Sequence, residues 1–260
     1  MARPIGNKNA IETMAFMIAF ERPISAGTGE NLLGLETLLK DVLPNFSRIS
    51  SLMIRVEDGK PTPLSTYGGV LLQRFRPDGR PVWTLRADGN AVIVSCHDYE
   101  SWLTESTHAI DYLRKAILAT VDNDNPATML ALQTIDKFIA EKDAAYKITD
   151  VFNKKTRYLT KQAAESGHLW HVFQGWFEHN DEDGGDGRYL NVLNLSTNEA
   201  PNGHMTSIDH TVQFQFQNSK VPDEAADEAY IKSVFHNLHT RNKMIISELL
   251  NAQQRRTIGL

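Results

Sequence analysis

Apolar and polar positions alternate with a period of two at several places along the chain. The plainest case is Thr211-Val212-Gln213-Phe214-Gln215-Phe216-Gln217. Successive side chains of a strand point to opposite faces, so this run predicts a half-buried strand of an antiparallel sheet. Comparable runs predict strands at residues 10–21, 50–56, 70–76, 82–86, 91–97, 128–139, 168–179, 188–196 and 205–217, with a loop near Pro61 and Pro63. Asp78-Gly79 and Asp88-Gly89 separate three of them. Asp-Gly between apolar runs signals a hairpin, because glycine reaches positive φ without a steric penalty.

Other segments change to helical spacing. Leu32, Leu35, Leu38, Leu39 and Val42 mark an amphipathic helix closed by Pro44. Ile110, Leu113, Ile117 and Val121 mark a second, at 104–121. Ile231, Phe235, Leu238, Ile245 and Leu249 mark a long one at 223–251. Residues 143–167 read as irregular, with a short helix at 161–165. Strands adjoin one another instead of alternating with helices, which predicts α+β: antiparallel sheet covered by helices. The order divides the chain at 1–142, a strand-helix-meander-helix-strand half, and 143–260, three strands plus the long helix. That arrangement admits two related halves packed as one unit.

Composition narrows the function classes. A chain of 260 residues can bury a sizeable core without a metal or disulfide. Its net charge of −5 lacks the positive field of a dedicated nucleic-acid binder, so a nucleic-acid partner is not expected. Cys96 is the single cysteine, which suits a reducing compartment. The apolar stretch Met14 to Phe20 is too short to span a bilayer and is bracketed by Glu12 and Glu21. A cytoplasmic location and no membrane partner are therefore expected.

Several short signatures recur in a known context: Tyr99-Glu100-Ser101-Trp102, Thr134-Ile135-Asp136-Lys137-Phe138, and Leu238-His239 with the Leu249 region. With the Asp-Gly meander, they resemble a sporadically distributed bacterial family of about this length, catalogued without known function. The resemblance implies an accessory or mobile-element role, with phage defence as one expectation, and supplies no catalytic residues.

The candidate chemistry is sparse. Gly27-Thr28-Gly29-Glu30 lies between a strand and a helix, but Leu32 stands where a dinucleotide loop needs glycine and no Gly-Lys-Ser/Thr follows. Glu30 there would repel a phosphate. His236 and His239, three apart on a helix, are the metal candidates, with Asp181, Glu182, Asp183 and Asp186 nearby in sequence. Those acids do not match a calcium loop, because Asp186 and Val192 stand where glycine and glutamate are required. Cys96 and His97 are adjacent on a strand, so they face opposite ways. Lys154, Lys155 and Arg157, beside Tyr158, form the densest basic cluster. Gln213, Gln215 and Gln217, grouped with Gln174, form an uncharged polar row open to a partner.

The first expectation is thus a non-enzymatic binding or accessory protein, without a cofactor, acting on another protein or on itself as a homodimer. The alternatives are a metal-dependent hydrolase or nuclease using the second-half histidines and acids, and a small-ligand sensor with a pocket between sheet and helices.

Overall fold

A computed structural model of the chain describes residues 2–6, 9–57, 60–120, 124–141, 146–179, 187–201 and 203–260, with backbone alone at 26–27, 51–57, 60–67 and 179. The first half contains β1 (Arg3–Pro4), β2 (Ile11–Phe20), α1 (Ala26–Leu33), α2 (Leu35–Leu38), β3 (Asn45–Glu57), β4 (Lys60–Phe75), β5 (Pro81–Asp88), β6 (Ala91–Cys96) and α3 (Trp102–Ala119). There follow β7 (Ala127–Glu141), α4 (Lys161–Glu165), β8 (Trp170–His179), β9 (Gly187–Ala200), β10 (Gly203–Lys220), α5 (Pro222–Ala225), α6 (Glu228–Leu249) and α7 (Ala252–Ile258). The fold is α+β. Ten antiparallel strands form one sheet in the order β3-β4-β5-β6-β2-β7-β10-β9-β8, with β1 pairing on β7.

The two runs of elements, β2 to α3 with five strands and β7 to α6 with four, are laid out alike about the sheet centre. Outward from the central β2–β7 pair, the last strand of each run lies beside its first: β6 beside β2, and β10 beside β7. Each run then ends in a long helix, α3 or α6, laid over those same strands. Both runs lie within one continuous sheet. β7, grouped above with the first half, opens the second run.

Both meander turns place glycine at positive φ, at Gly79 (83°) and Gly89 (55°), as the Asp-Gly signals required. The prolines Pro61 and Pro63 lie in β4 and not in a loop, paired with Val56 and Ile54 of β3. β5 pairs with β4 only from Gly69 onward, so the prolines occupy a stretch with one neighbour, where a missing N–H is tolerated.

The glycine segment also differs from expectation. Helix α1 starts at Ala26, because the Ser25 hydroxyl accepts the Thr28 N–H (3.2 Å) and caps it. Gly27-Thr28-Gly29 is thus the first turn of a helix, with no phosphate loop ahead of it. The helix breaks at Gly34, which leaves Leu35 and Leu39 buried and Leu38 exposed. The long helix expected at 223–251 is two segments, α5 and α6, because Asp227 caps α6 afresh by accepting the Tyr230 N–H (2.9 Å). Its predicted stripe is buried throughout: Ile231, Phe235, Leu238, Ile245 and Leu249. At roughly 1.5–3 kcal/mol for each buried side chain, that stripe outweighs helix propensity in holding α6 to the sheet. No described helix is long and apolar enough to cross a membrane.

Among the described residues, the helices cover one face of the sheet. Val212 and Phe214 of β10 pack beneath α6, and Phe216 meets Tyr230, so the aromatic row does face the long helix.

Candidate functional site

Gln213 and Gln215 are half-buried and Gln217 is exposed, all on the helix-free face. Arg188 Nε donates to Gln215 Oε1 (3.0 Å), and Gln215 Nε2 donates to Gln213 Oε1 (3.3 Å). Cross-strand register sets Gln213 between Ala131 and Leu190, so the row is broken by apolar neighbours. Gln174 does not belong to it. It pairs with Leu193, on the helix-covered face, and donates to the Tyr158 carbonyl (2.8 Å). A register offset of one residue is enough to reverse the face.

The basic cluster disperses. Lys154 and Lys155 are exposed in a turn, whereas Arg157 pairs with Glu248 (3.1 Å) and donates to the Tyr158 hydroxyl (3.1 Å). Tyr158 is buried with its ring on Trp176, centroids 5.3 Å apart, which occupies the face a nucleobase would use. His236 is exposed, and His239 instead lies flat on Trp102, centroids 3.9 Å apart and planes 2° from parallel. Asp181, Glu182, Asp183 and Asp186 lie outside the described residues. Among the described residues no three His, Cys, Asp or Glu side chains converge on a point that could hold a metal ion. Cys96 is fully buried with its thiol pushed up to about 12, chiefly by burial. His97 faces the other way, against Thr13 (3.2 Å) and Thr84 (3.4 Å).

What the structure does bring together is a polar chain beneath α6. Thr134 and Asp136 occupy the helix-facing row of β7, in register with the apolar Leu130, Leu132 and Phe138. Asn242 on α6 donates to Thr134 Oγ1 (2.8 Å) and to His210 Nδ1 (2.9 Å). His210 Nε2 lies 3.3 Å from Asn191 Oδ1. Burial alone holds His210 down to about 3, so it is neutral at physiological pH. At the other end, burial pushes the Asp136 carboxyl up to about 7, opposed only by its hydrogen bond with Thr134.

Asp136 faces a cleft of about 170 Å³ between the segment before β2, the loop after β6, α6 and the residues Ile258-Gly259-Leu260 at the end of α7. Tyr99, Trp102, His239, Asn242 and Lys243 also line it. Asn9 Nδ2 donates to the Tyr99 carbonyl (3.0 Å), tying two walls together. Burial first, then the Asp136 and Glu105 carboxyls, push the Tyr99 phenol up to about 12. Burial, then Lys243 and His236, push the His239 imidazole down to about 4. Trp102 is held between Phe16 (5.7 Å) and His239, so the aromatic wall is a three-ring stack. A wider groove of about 740 Å³ adjoins this cleft and shares Asn9, Ile11 and Tyr99 with it. Arg76 lines it, paired with Asp98.

Sequence reasoning did not single out this site. The available signal was an acid, Asp136, on the row of a strand that otherwise reads as core.

No protein-family model and no curated protein matches the chain. Among solved structures, the crystal structure of the di-domain ARO/CYC StfQ from the steffimycin biosynthetic pathway matches 90% of this chain and 96% of that one. The identity is 9% and the TM-score 0.18, a value that carries no argument about fold or function.

Proposed function

We propose that this chain is a small-molecule-binding protein whose site is the cleft around Asp136. The observation that carries the reading is a carboxyl only 4% exposed, facing a cavity, with no cationic side chain paired to it among the described residues. A buried acid without a cationic partner is costly to keep, and a site that must meet a polar ligand is one setting in which that cost is retained. Trp102 and His239, stacked on each other and backed by the buried Phe16, supply a rigid aromatic surface beside it. Acid–base catalysis at neutral pH draws on a pair of groups poised near neutrality. Here Tyr99 and His239 are driven away from it and Asp136 alone remains, which supports binding over catalysis. A reducing, cytoplasmic setting suits the lone thiol Cys96.

A thermal-shift screen of single-ring metabolites against the purified protein tests the reading. Protection should appear for at least one class and disappear in Asp136→Asn and Tyr99→Phe. A screen with no protecting compound, or protection unchanged in both variants, removes the cleft as the site.

A further inference from the structure

We infer that the cleft takes a compact planar cation, an amidinium or aminopyridinium-type ring, whose paired N–H groups meet the Asp136 carboxylate. This rests on the cleft being a ligand site and specifies what enters it.

Size comes first. The cavity of about 170 Å³ is close to the roughly 150 Å³ known to hold one benzene ring. One six-membered ring with a small substituent fits it. The wall suits a ring, because Trp102 and His239 both line it and are stacked within 2° of parallel, with the buried Phe16 backing Trp102. The hydrogen-bonding requirement comes next. An ionised carboxylate has about four acceptor positions. Among the described residues Thr134 is the one side-chain donor acting on Asp136. Two parallel N–H groups on a planar cation satisfy a carboxylate in the bidentate geometry that makes such pairs strong.

Charge decides between a cation and a neutral donor. Three titratable side chains line the cleft with Asp136: Tyr99 from the loop after β6, and His239 and Lys243 from α6; Leu260, the last residue of the sequence, lines it too. Glu105 acts on Tyr99 from α3, and His210 of β10 lies across from Thr134. Tyr99, His210 and His239 are neutral at physiological pH. Glu105 is itself buried and raised by burial. Lys243 is the one cation and sits exposed at the rim, where it acts on His239 and not on Asp136. The interior therefore holds an uncompensated acid, and a cationic ring supplies the missing charge.

Three isosteres separate the possibilities: benzamidine (cation), benzamide (neutral) and benzoate (anion), each titrated by calorimetry into the wild-type protein. Benzamidine should bind at least tenfold more tightly than the other two. Its affinity should rise about tenfold from pH 6 to pH 8 as Asp136 ionises, with a proton released on binding at pH 6. In Asp136→Asn that preference and that pH dependence should vanish. Should this variant fail to fold, the wild-type pH series carries the test alone. Benzamide or benzoate binding as tightly as benzamidine overturns the cationic assignment and leaves the cleft standing. So does benzamidine affinity that is flat with pH. Binding by none of the three also overturns the assignment, whereas the cleft itself falls only if the broader metabolite screen fails too.

Discussion

Asn242 donates one amide hydrogen to His210 Nδ1 at 2.9 Å, across the interface between α6 and the sheet. Its other amide hydrogen goes to Thr134 Oγ1, so His210 must accept at Nδ1 and carry its proton on Nε2. Thr134, already an acceptor, is left to donate to Asp136. An imidazolium at His210 could offer no lone pair to Asn242. The amide would then have to turn, Thr134 would donate to its oxygen, and Asp136 would lose its donor. One side chain thus couples two titratable groups.

The first expected outcome follows from that position. Asn242→Ala should destabilise the fold by about 2–4 kcal/mol, because it strands two buried polar partners at once. Urea unfolding at pH 7 measures it. A loss below about 0.5 kcal/mol would show that the chain of hydrogen bonds contributes little.

Asp136 and His210 should pull the pH dependence of stability in opposite directions. The folded pKa of Asp136 is raised from 3.8 to about 7, so its contribution is full at low pH and is lost as pH rises through that window. His210 is lowered from 6.5 to about 3, so protonation of the unfolded state costs stability as pH falls through that window. The windows overlap, and His239, lowered to about 4, acts in the same direction as His210, so the wild-type protein should gain stability as pH rises from about 4 to 6.5. Asp136→Asn should steepen that rise, and His210→Gln should flatten it. Parallel slopes in the two variants would contradict the assignment.

Trp102 is the middle ring of its stack, and its removal should expose His239. Trp102→Ala is expected to cost about 2–3 kcal/mol, below the usual value for a buried tryptophan because Trp102 is only partly buried. The His239 imidazole should then titrate closer to 6.5, which NMR of the ring protons would follow. An unchanged His239 titration would mean that burial by other groups holds it down.

Gly89 tests the hairpin logic without touching the cleft. A side-chain carbon there would meet nothing within 4 Å, so any cost comes from the φ of 55° alone. Gly89→Val should lose about 1–2 kcal/mol and Gly89→Asn less than half of that, because asparagine tolerates the left-handed region. Equal losses in thermal unfolding would point to a cause other than backbone conformation.

Much of this fold was legible locally. The seven-residue alternation at Thr211–Gln217 specified a strand, and its aromatic row lies beneath α6 as the pattern implied. Asp-Gly pairs located both meander turns, and the short helix at Lys161–Glu165 fell where its residues suggested. The glycine segment was misread because capping by Ser25 and burial of Leu32 outweigh the helix-weakening effect of two glycines. Gln174 was placed on the wrong face because alternation fixes faces within a strand, while register between strands is set by pairing.

The sequence by itself determined the type of each main element, because the periods of strand and helix are properties of neighbouring residues. Only the tertiary structure decided that Thr134 and Asn242, 108 positions apart, would share a hydrogen bond. The same holds for Asp136 facing a cleft walled by Tyr99, Trp102 and His239. Those residues come from a strand, a loop and two helices whose meeting depends on sheet order, and no local period encodes that order.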